Sequence, residues 1–164
     1  MPLHACFAGR VCRAAAFALL AAFLWGADLA SAAAPPGGPA PGYARIWLYR
    51  DYEPYQSLAR PYVRLNGAIV AISEPGGSFY RDVAPGQYTL TVDSIGQDVN
   101  QFTTVAVAAG QQVYLKIEVL GFWYYGGGTA RGGGAWARPT FYTRLQLPQV
   151  AVAEIAHSRF YGGG

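Results

Sequence analysis

Few side chains in this sequence could do chemistry, and their spacing limits what that chemistry could be. Glu74, Asp82 and Glu118 are the acids that folding could gather into a carboxylate pair. Such a pair cleaves glycosidic bonds, one group acting as acid and the other as base or nucleophile. Glu74 and Asp82 flank turns, and Glu118 stands two residues from Lys116. Cross-strand ion pairing on a polar sheet face accounts for them more simply. Gly76-Gly77-Ser78-Phe79-Tyr80 is not a G-x-S-x-G nucleophile elbow. His157 is the only histidine after the N-terminal segment, whereas a zinc or iron site needs several converging ligands. Asp93 and Asp98 in DSIGQD fall short of the regularly spaced oxygen donors of a calcium loop. The Gly-rich segment Gly126 to Gly134 lacks the Gly-Lys-Ser/Thr of a phosphate loop. The expectation is therefore no metal, no cofactor and no catalytic residue.

What remains is a set of aromatic rings beside that Gly-rich segment. Trp123, Tyr124, Tyr125 and Trp136 flank it, with Phe122 just before. Tyr and Trp combine apolar area with a polar handle, which suits a ligand or partner surface. The simpler reading is that the same rings cap the open end of a β-sandwich. The segment between them reads as a loop joining two strands.

The elements that would position these groups are strands. Tyr43 to Arg50 has apolar residues on both faces, with Ile46 and Leu48 on one and Trp47 and Tyr49 on the other. It should be covered on both sides. Tyr62–Leu65 and Ala68–Ile72 flank Asn66-Gly67, the sequence that best tolerates the two positive φ angles of a type I′ hairpin. Ser78 to Val83 leads into Ala84-Pro85-Gly86-Gln87, which has the pattern of a type II turn. In Gln87 to Ser94, Tyr88, Leu90 and Val92 alternate with polar residues. Gln101 to Val107 and Gln111 to Leu120 read as a further hairpin around Ala109-Gly110. Val113, Leu115, Ile117 and Val119 face inward there, with Lys116 and Glu118 on the outer face. Thr140 to Leu147 is the last strand, with Phe141, Thr143, Leu145 and Leu147 on one face. The Ala-rich stretch Gln149 to Phe160 reads as a short C-terminal helix. About eight short strands with regular turn signals predict an all-β fold, an antiparallel β-sandwich of immunoglobulin-like or transthyretin-like type.

The N-terminus addresses the chain for export. Arg10 and Arg13 precede the apolar run Ala14 to Ala27, and Ala30-Ser31-Ala32 offers small residues for cleavage. Residues 1–32 read as a Sec-type bacterial signal peptide, since the run is too short to span a bilayer. Cys6 and Cys12 are the only cysteines, so cleavage would leave none for disulfides, thiolate chemistry or a lipid anchor. No stable membrane anchor is expected after cleavage, and the location is periplasmic or secreted. Residues 33–42 are a Pro/Gly linker, and 43–160 form one β-sandwich domain with the Gly-rich loop 126–134. The net charge of the whole chain is +3, and no basic block occurs. Nucleic acid is therefore not expected as a partner.

Several of these motifs also carry a family resemblance. Ala44 to Arg50 (ARIWLYR), Val63 to Gly67 (VRLNG), Ser78-Phe79-Tyr80 with Val83 to Leu90 (VAPGQYTL), and Ala109 to Lys116 (AGQQVYLK) stand in sequence order. Together they resemble a bacterial family known as domain of unknown function 2846. The likeness covers roughly Tyr43 to Leu120, and its turn logic is shared with PEGA-type envelope modules. It implies an exported immunoglobulin-like or transthyretin-like β-domain and supplies no catalytic residues. Many members look like lipoproteins, from which this chain departs, and segment 126–134 is longer than the family needs. The reading is a non-catalytic envelope module that binds an envelope protein or a glycan. The alternatives are a glycan-active enzyme with paired carboxylates, or a structural subunit that pairs by a sheet edge.

Overall fold

The structure, a computed structural model, describes residues 37–54, 58–94, 99–125 and 136–164, with backbone alone at 121–125 and 136–138. The expected signal peptide 1–32, the start of the expected linker, Asp98 and the Gly-rich segment 126–134 lie outside the described residues. Strands β1 (Ala44–Tyr49), β4 (Gly77–Val83), β7 (Gln112–Tyr125), β8 (Trp136–Gln146) and β9 (Arg159–Phe160) form one sheet, ordered β8-β7-β1-β4-β9. Strands β2 (Tyr62–Leu65), β3 (Ala68–Ile72), β5 (Gly86–Val92) and β6 (Thr103–Val107) form the other, ordered β3-β2-β5-β6. Helix α1 (Pro148–Ile155) precedes β9. The fold is an all-β sandwich. Most pairs are antiparallel, while β1–β7 and β4–β9 are parallel.

The period-2 pattern builds the space between the sheets. Ile46 and Leu48, Val63, Leu90, Leu115 and Ile117 are fully or almost fully buried there. Phe79, Val105 and Phe141 belong to the same cluster. Each such side chain removed from water is worth about 1.5–3 kcal/mol. β1 lies in the middle of its sheet and is buried at all six positions. Its outward residues Trp47 and Tyr49 pack with Tyr114 beneath Ala151 and Ile155 of α1. The expectation of a strand covered on both faces therefore holds, and the molecule has three layers: sheet, sheet and helix. At the Asn66-Gly67 turn, φ is +50° and +84°, as a type I′ hairpin requires. Asn66 then ties the turn to β5, because its Oδ1 accepts from the Thr89 N–H at 2.8 Å.

Two expected connections turn out differently. Gly86 begins β5 without the positive φ of a type II turn, and β4 and β5 lie in different sheets. Ala108–Gln111 is a turn, closed by the Gln111 N–H on the Ala108 carbonyl at 3.0 Å, with Gly110 at φ +79°. It too passes from one sheet to the other, so β6 and β7 form no hairpin. Only the second place keeps its local turn chemistry, and in both the burial of the strands decides the pairing. Both sides of β7 are taken by β1 and β8, and β5 already lies between β2 and β6. On β8, Phe141 and Thr143 are buried as expected, while Leu145 and, just past the strand, Leu147 are exposed. The tail helix is shorter than expected and gives way to β9.

Candidate functional site

β1 ends its pairing with β7 at Tyr49↔Lys116, but β7 runs on to Tyr125 with β8 as its partner. The register continues past an irregularity at Val119/Gly121 to Trp123↔Arg138, Tyr124↔Ala137 and Tyr125↔Trp136. All four predicted aromatic residues thus lie on the last rungs of one two-stranded ribbon. The five rungs beyond the irregularity extend it by about 17 Å.

The three acids are not a pair. Asp82 takes a two-pronged bond from Arg45, with Nε–Oδ1 2.7 Å and Nη2–Oδ2 2.9 Å. Glu74 meets Arg60 at 3.0 Å, and Glu118 meets Arg144 at 2.7 Å. Glu74 precedes β4 while Asp82 lies near its far end, and the five rises from Gly77 to Asp82 alone span about 16 Å. Asp93, the described half of the calcium-like loop, is paired with Arg64 at 2.7 Å. His157 is exposed. Among the described residues no group of three or more His, Cys, Asp or Glu could hold a metal ion, and no helix is long and apolar enough to cross a membrane.

Sequence reasoning missed the polar network under α1. Lys116, assigned to a solvent-facing side, lies on the part of the sheet that the helix covers. Its Nζ is 2.7 Å from Glu154 Oε1 and 2.7 Å from Asp51 Oδ2. The Tyr49 hydroxyl donates to Glu154 Oε2 at 2.5 Å. Burial opposes charge on Glu154, yet the bonds from Lys116 and Tyr49 outweigh it, and its pKa falls below the ordinary value. Burial and the same carboxylate push the Tyr49 phenol up. Burial works against the Lys116 ammonium, but its two carboxylates raise its pKa on balance. A nucleophilic or basic lysine needs the opposite shift. A pocket of about 260 Å³ opens beside this network, lined by Arg50, Asp51, Lys116 and Glu118 among others. Its lysine is bonded to two carboxylates, one of them on α1, so the arrangement clamps the helix to the sheet. The available signal was Trp47-x-Tyr49: rings on the outward face of a strand require a covering layer.

A second network docks the linker. Arg45 is almost fully buried, stands 3.7 Å over the Tyr80 ring, and donates to the Gly37 carbonyl at 3.0 Å. The Ala40 N–H donates to Asp82 at 3.3 Å. The described part of the linker, 37–42, is therefore held against the domain at Gly37 and Ala40. The hydrogen bonds from Arg45 hold Asp82 below the ordinary carboxylate range.

No protein-family model, curated protein or solved structure matches this chain.

Proposed function

We propose that this chain is an exported, non-catalytic β-sandwich module of the bacterial envelope. It acts by contact, through the ribbon carrying Trp123, Tyr124, Tyr125 and Trp136. One observation carries the reading: the β7–β8 register brings Tyr125 opposite Trp136. Aromatic residues far apart in sequence thereby gather at the end of an element that continues beyond its neighbour β1. The partner is an envelope protein or a glycan. The resemblance to domain of unknown function 2846 and the signal-peptide pattern support export. A glycan-active enzyme is less well supported, because each of its three candidate carboxylates is engaged by a separate arginine.

The test is cross-linking capture from an envelope fraction, with the original chain beside a Trp123→Ala/Trp136→Ala double variant. Circular dichroism on both controls for folding. Captured species that disappear with the two indoles support the ribbon as contact surface. An unchanged set from a folded double variant rejects it.

A further inference from the structure

β7 is longer than the strand beside it, and its spare length leaves main chain without a partner. The pairing of β1 with β7 stops at Tyr49↔Lys116. Beyond it the Arg50 N–H donates to the Gly77 carbonyl at 3.0 Å, on the β4 side, and Asp51 to Pro54 are exposed. Val119 stands opposite Phe141 of β8, and Ile117 opposite Thr143. The Phe141 N–H donates to Ser94 Oγ at 2.8 Å, its carbonyl accepts from Gln101 at 3.4 Å, and the Thr143 carbonyl accepts from Thr103. These groups of β8 face away from β7. In an antiparallel pair, residues directly opposite either bond each other or both turn outward. The carbonyls of Ile117 and Val119 and the Val119 N–H therefore point to the β1 side, past the end of β1. Among the described residues no hydrogen bond reaches these three groups.

The space beside them is a cleft with a definite charge. The pocket of about 260 Å³ is lined by every residue from Lys116 to Leu120. Consecutive strand residues point to opposite faces, so a cavity touched by such a run lies at the edge of the strand. Asp51, Glu53 and Glu118 line it against only Arg50 and Lys116. Asp51 is engaged by Lys116 and Glu118 by Arg144, both at 2.7 Å. Glu53 is exposed, and among the described residues no cation lies within 4.0 Å of it.

We propose that this cleft is a strand-acceptor site. An extended peptide segment of a partner protein, with a lysine or arginine near its end, adds to the β7 edge in line with β1. Its main chain bonds Ile117 and Val119, and its cation meets Glu53. Bare main-chain groups along a strand edge select an extended main chain, and the excess carboxylate selects the sign of the charge. The site reads backbone and charge, so it stands or falls separately from the four aromatic residues of the ribbon.

The probe is the fluorescein-labelled peptide Lys-Thr-Val-Thr-Val-Thr-Lys, whose cation meets Glu53 whichever way the peptide runs. Fluorescence anisotropy with the full chain should show saturable binding. Glu-Thr-Val-Thr-Val-Thr-Glu, and the Lys-ended peptide N-methylated throughout, should each bind at least about tenfold more weakly. Glu53→Lys, at an exposed position, should reverse the preference between the Lys-ended and Glu-ended peptides. Val119→Pro removes the edge N–H and leaves the bonds to β8 in place; with folding checked by circular dichroism, it should weaken binding by a similar factor. Exchange of the Val119 amide, followed by NMR, should be fast in the free protein and slowed by the peptide. The Trp123→Ala/Trp136→Ala variant should bind the peptide as the original chain does. The proposal is overturned by no saturable binding, by equal binding of the N-methylated peptide, or by a charge preference that Glu53→Lys leaves unchanged. Undiminished binding to a folded Val119→Pro variant overturns it too. So does a Val119 amide already slow in the free protein, which would mean that another part of the chain fills the edge. Binding lost with the two indoles would assign the peptide to the rings instead of the edge.

Discussion

Replacing Glu154 by Gln tests whether the network beneath α1 holds the helix by charge. Glu154 accepts from Tyr49 at 2.5 Å and from Lys116 at 2.7 Å. The amide has the same shape and can still bond both neighbours, its oxygen to Lys116 and its NH₂ to the Tyr49 oxygen. Lys116 also keeps Asp51 at 2.7 Å, so no buried charge is orphaned. What is lost is charge assistance in two bonds. Hydrogen bonds to charged groups contribute about 1.5–3 kcal/mol against about 0.5–1.5 for neutral ones, so the expected loss is about 2 kcal/mol. For a domain of this size that is a fall in Tm of roughly 8 °C. The pH dependence has a definite sign. The folded-state pKa of Glu154 lies below the ordinary value, so its ionised form stabilises the fold. That contribution is complete above the unfolded carboxylate pKa of about 4.3 and fades as pH falls through the lower folded value. Thermal melts followed by circular dichroism at pH 7 and near pH 3 should show a gap between the two proteins that narrows in acid. A gap below about 0.5 kcal/mol at pH 7, or one that is the same at both pH values, refutes the charge argument.

Three further outcomes follow from the same structure. Gly67→Ala should cost about 1 kcal/mol in denaturant unfolding, because φ is +84° while nothing stands within 4 Å of the new Cβ; an unchanged midpoint would mean that the turn has relaxed. Arg45→Met leaves the partly buried Asp82 without its guanidinium and removes the cation from the Tyr80 ring. A loss of about 3 kcal/mol is expected at pH 7; it should shrink in acid, where Asp82 is protonated in both proteins, and calorimetry across pH reads both. Leu115→Ala opens a cavity at a fully buried position between the sheets and should cost about 2–5 kcal/mol. The exposed Leu145 on the paired strand serves as comparison, and its alanine variant should stay within about 0.5 kcal/mol.

The two ends of the β7–β8 ribbon show why chemistry at a sheet edge is hard to read from spacing. Away from the ribbon's tip, along Phe141–Thr143, β8 would present bare backbone on its outer side. There the Phe141 N–H donates to Ser94 Oγ at 2.8 Å, Gln101 donates to the Phe141 carbonyl at 3.4 Å, and the Thr103 hydroxyl donates to the Thr143 carbonyl. Three side chains of the other sheet and its loops thus occupy groups that could otherwise recruit a neighbouring strand. None of the three has a sequence signature, since each donor or acceptor lies 40 or more residues from its partner.

The sequence by itself determined what is local. Alternation of apolar and polar residues sets which side of a strand is greasy, and it located all of the strands from Ala44 to Gln146 to within a few residues, apart from the long end of β7 and the start of β8. Asn66-Gly67 determined its own turn because the two positive φ angles are a property of those two residues. Trp47 and Tyr49 announced a second covered face. Only the tertiary structure decided which strands pair, because a period of two gives a strand two equivalent edges and names no neighbour for either. The turn at 108–111 therefore forms as its residues require yet connects different sheets, and 84–87 crosses between sheets without the expected type II turn. Nor could spacing show that Lys116 lies under a helix, that Arg45, Arg60 and Arg144 each claim one acid, or that the segment after α1 returns as a strand on β4. Those contacts join residues distant along the chain, and they exist only once the burial of two sheets and a helix has fixed where each backbone runs.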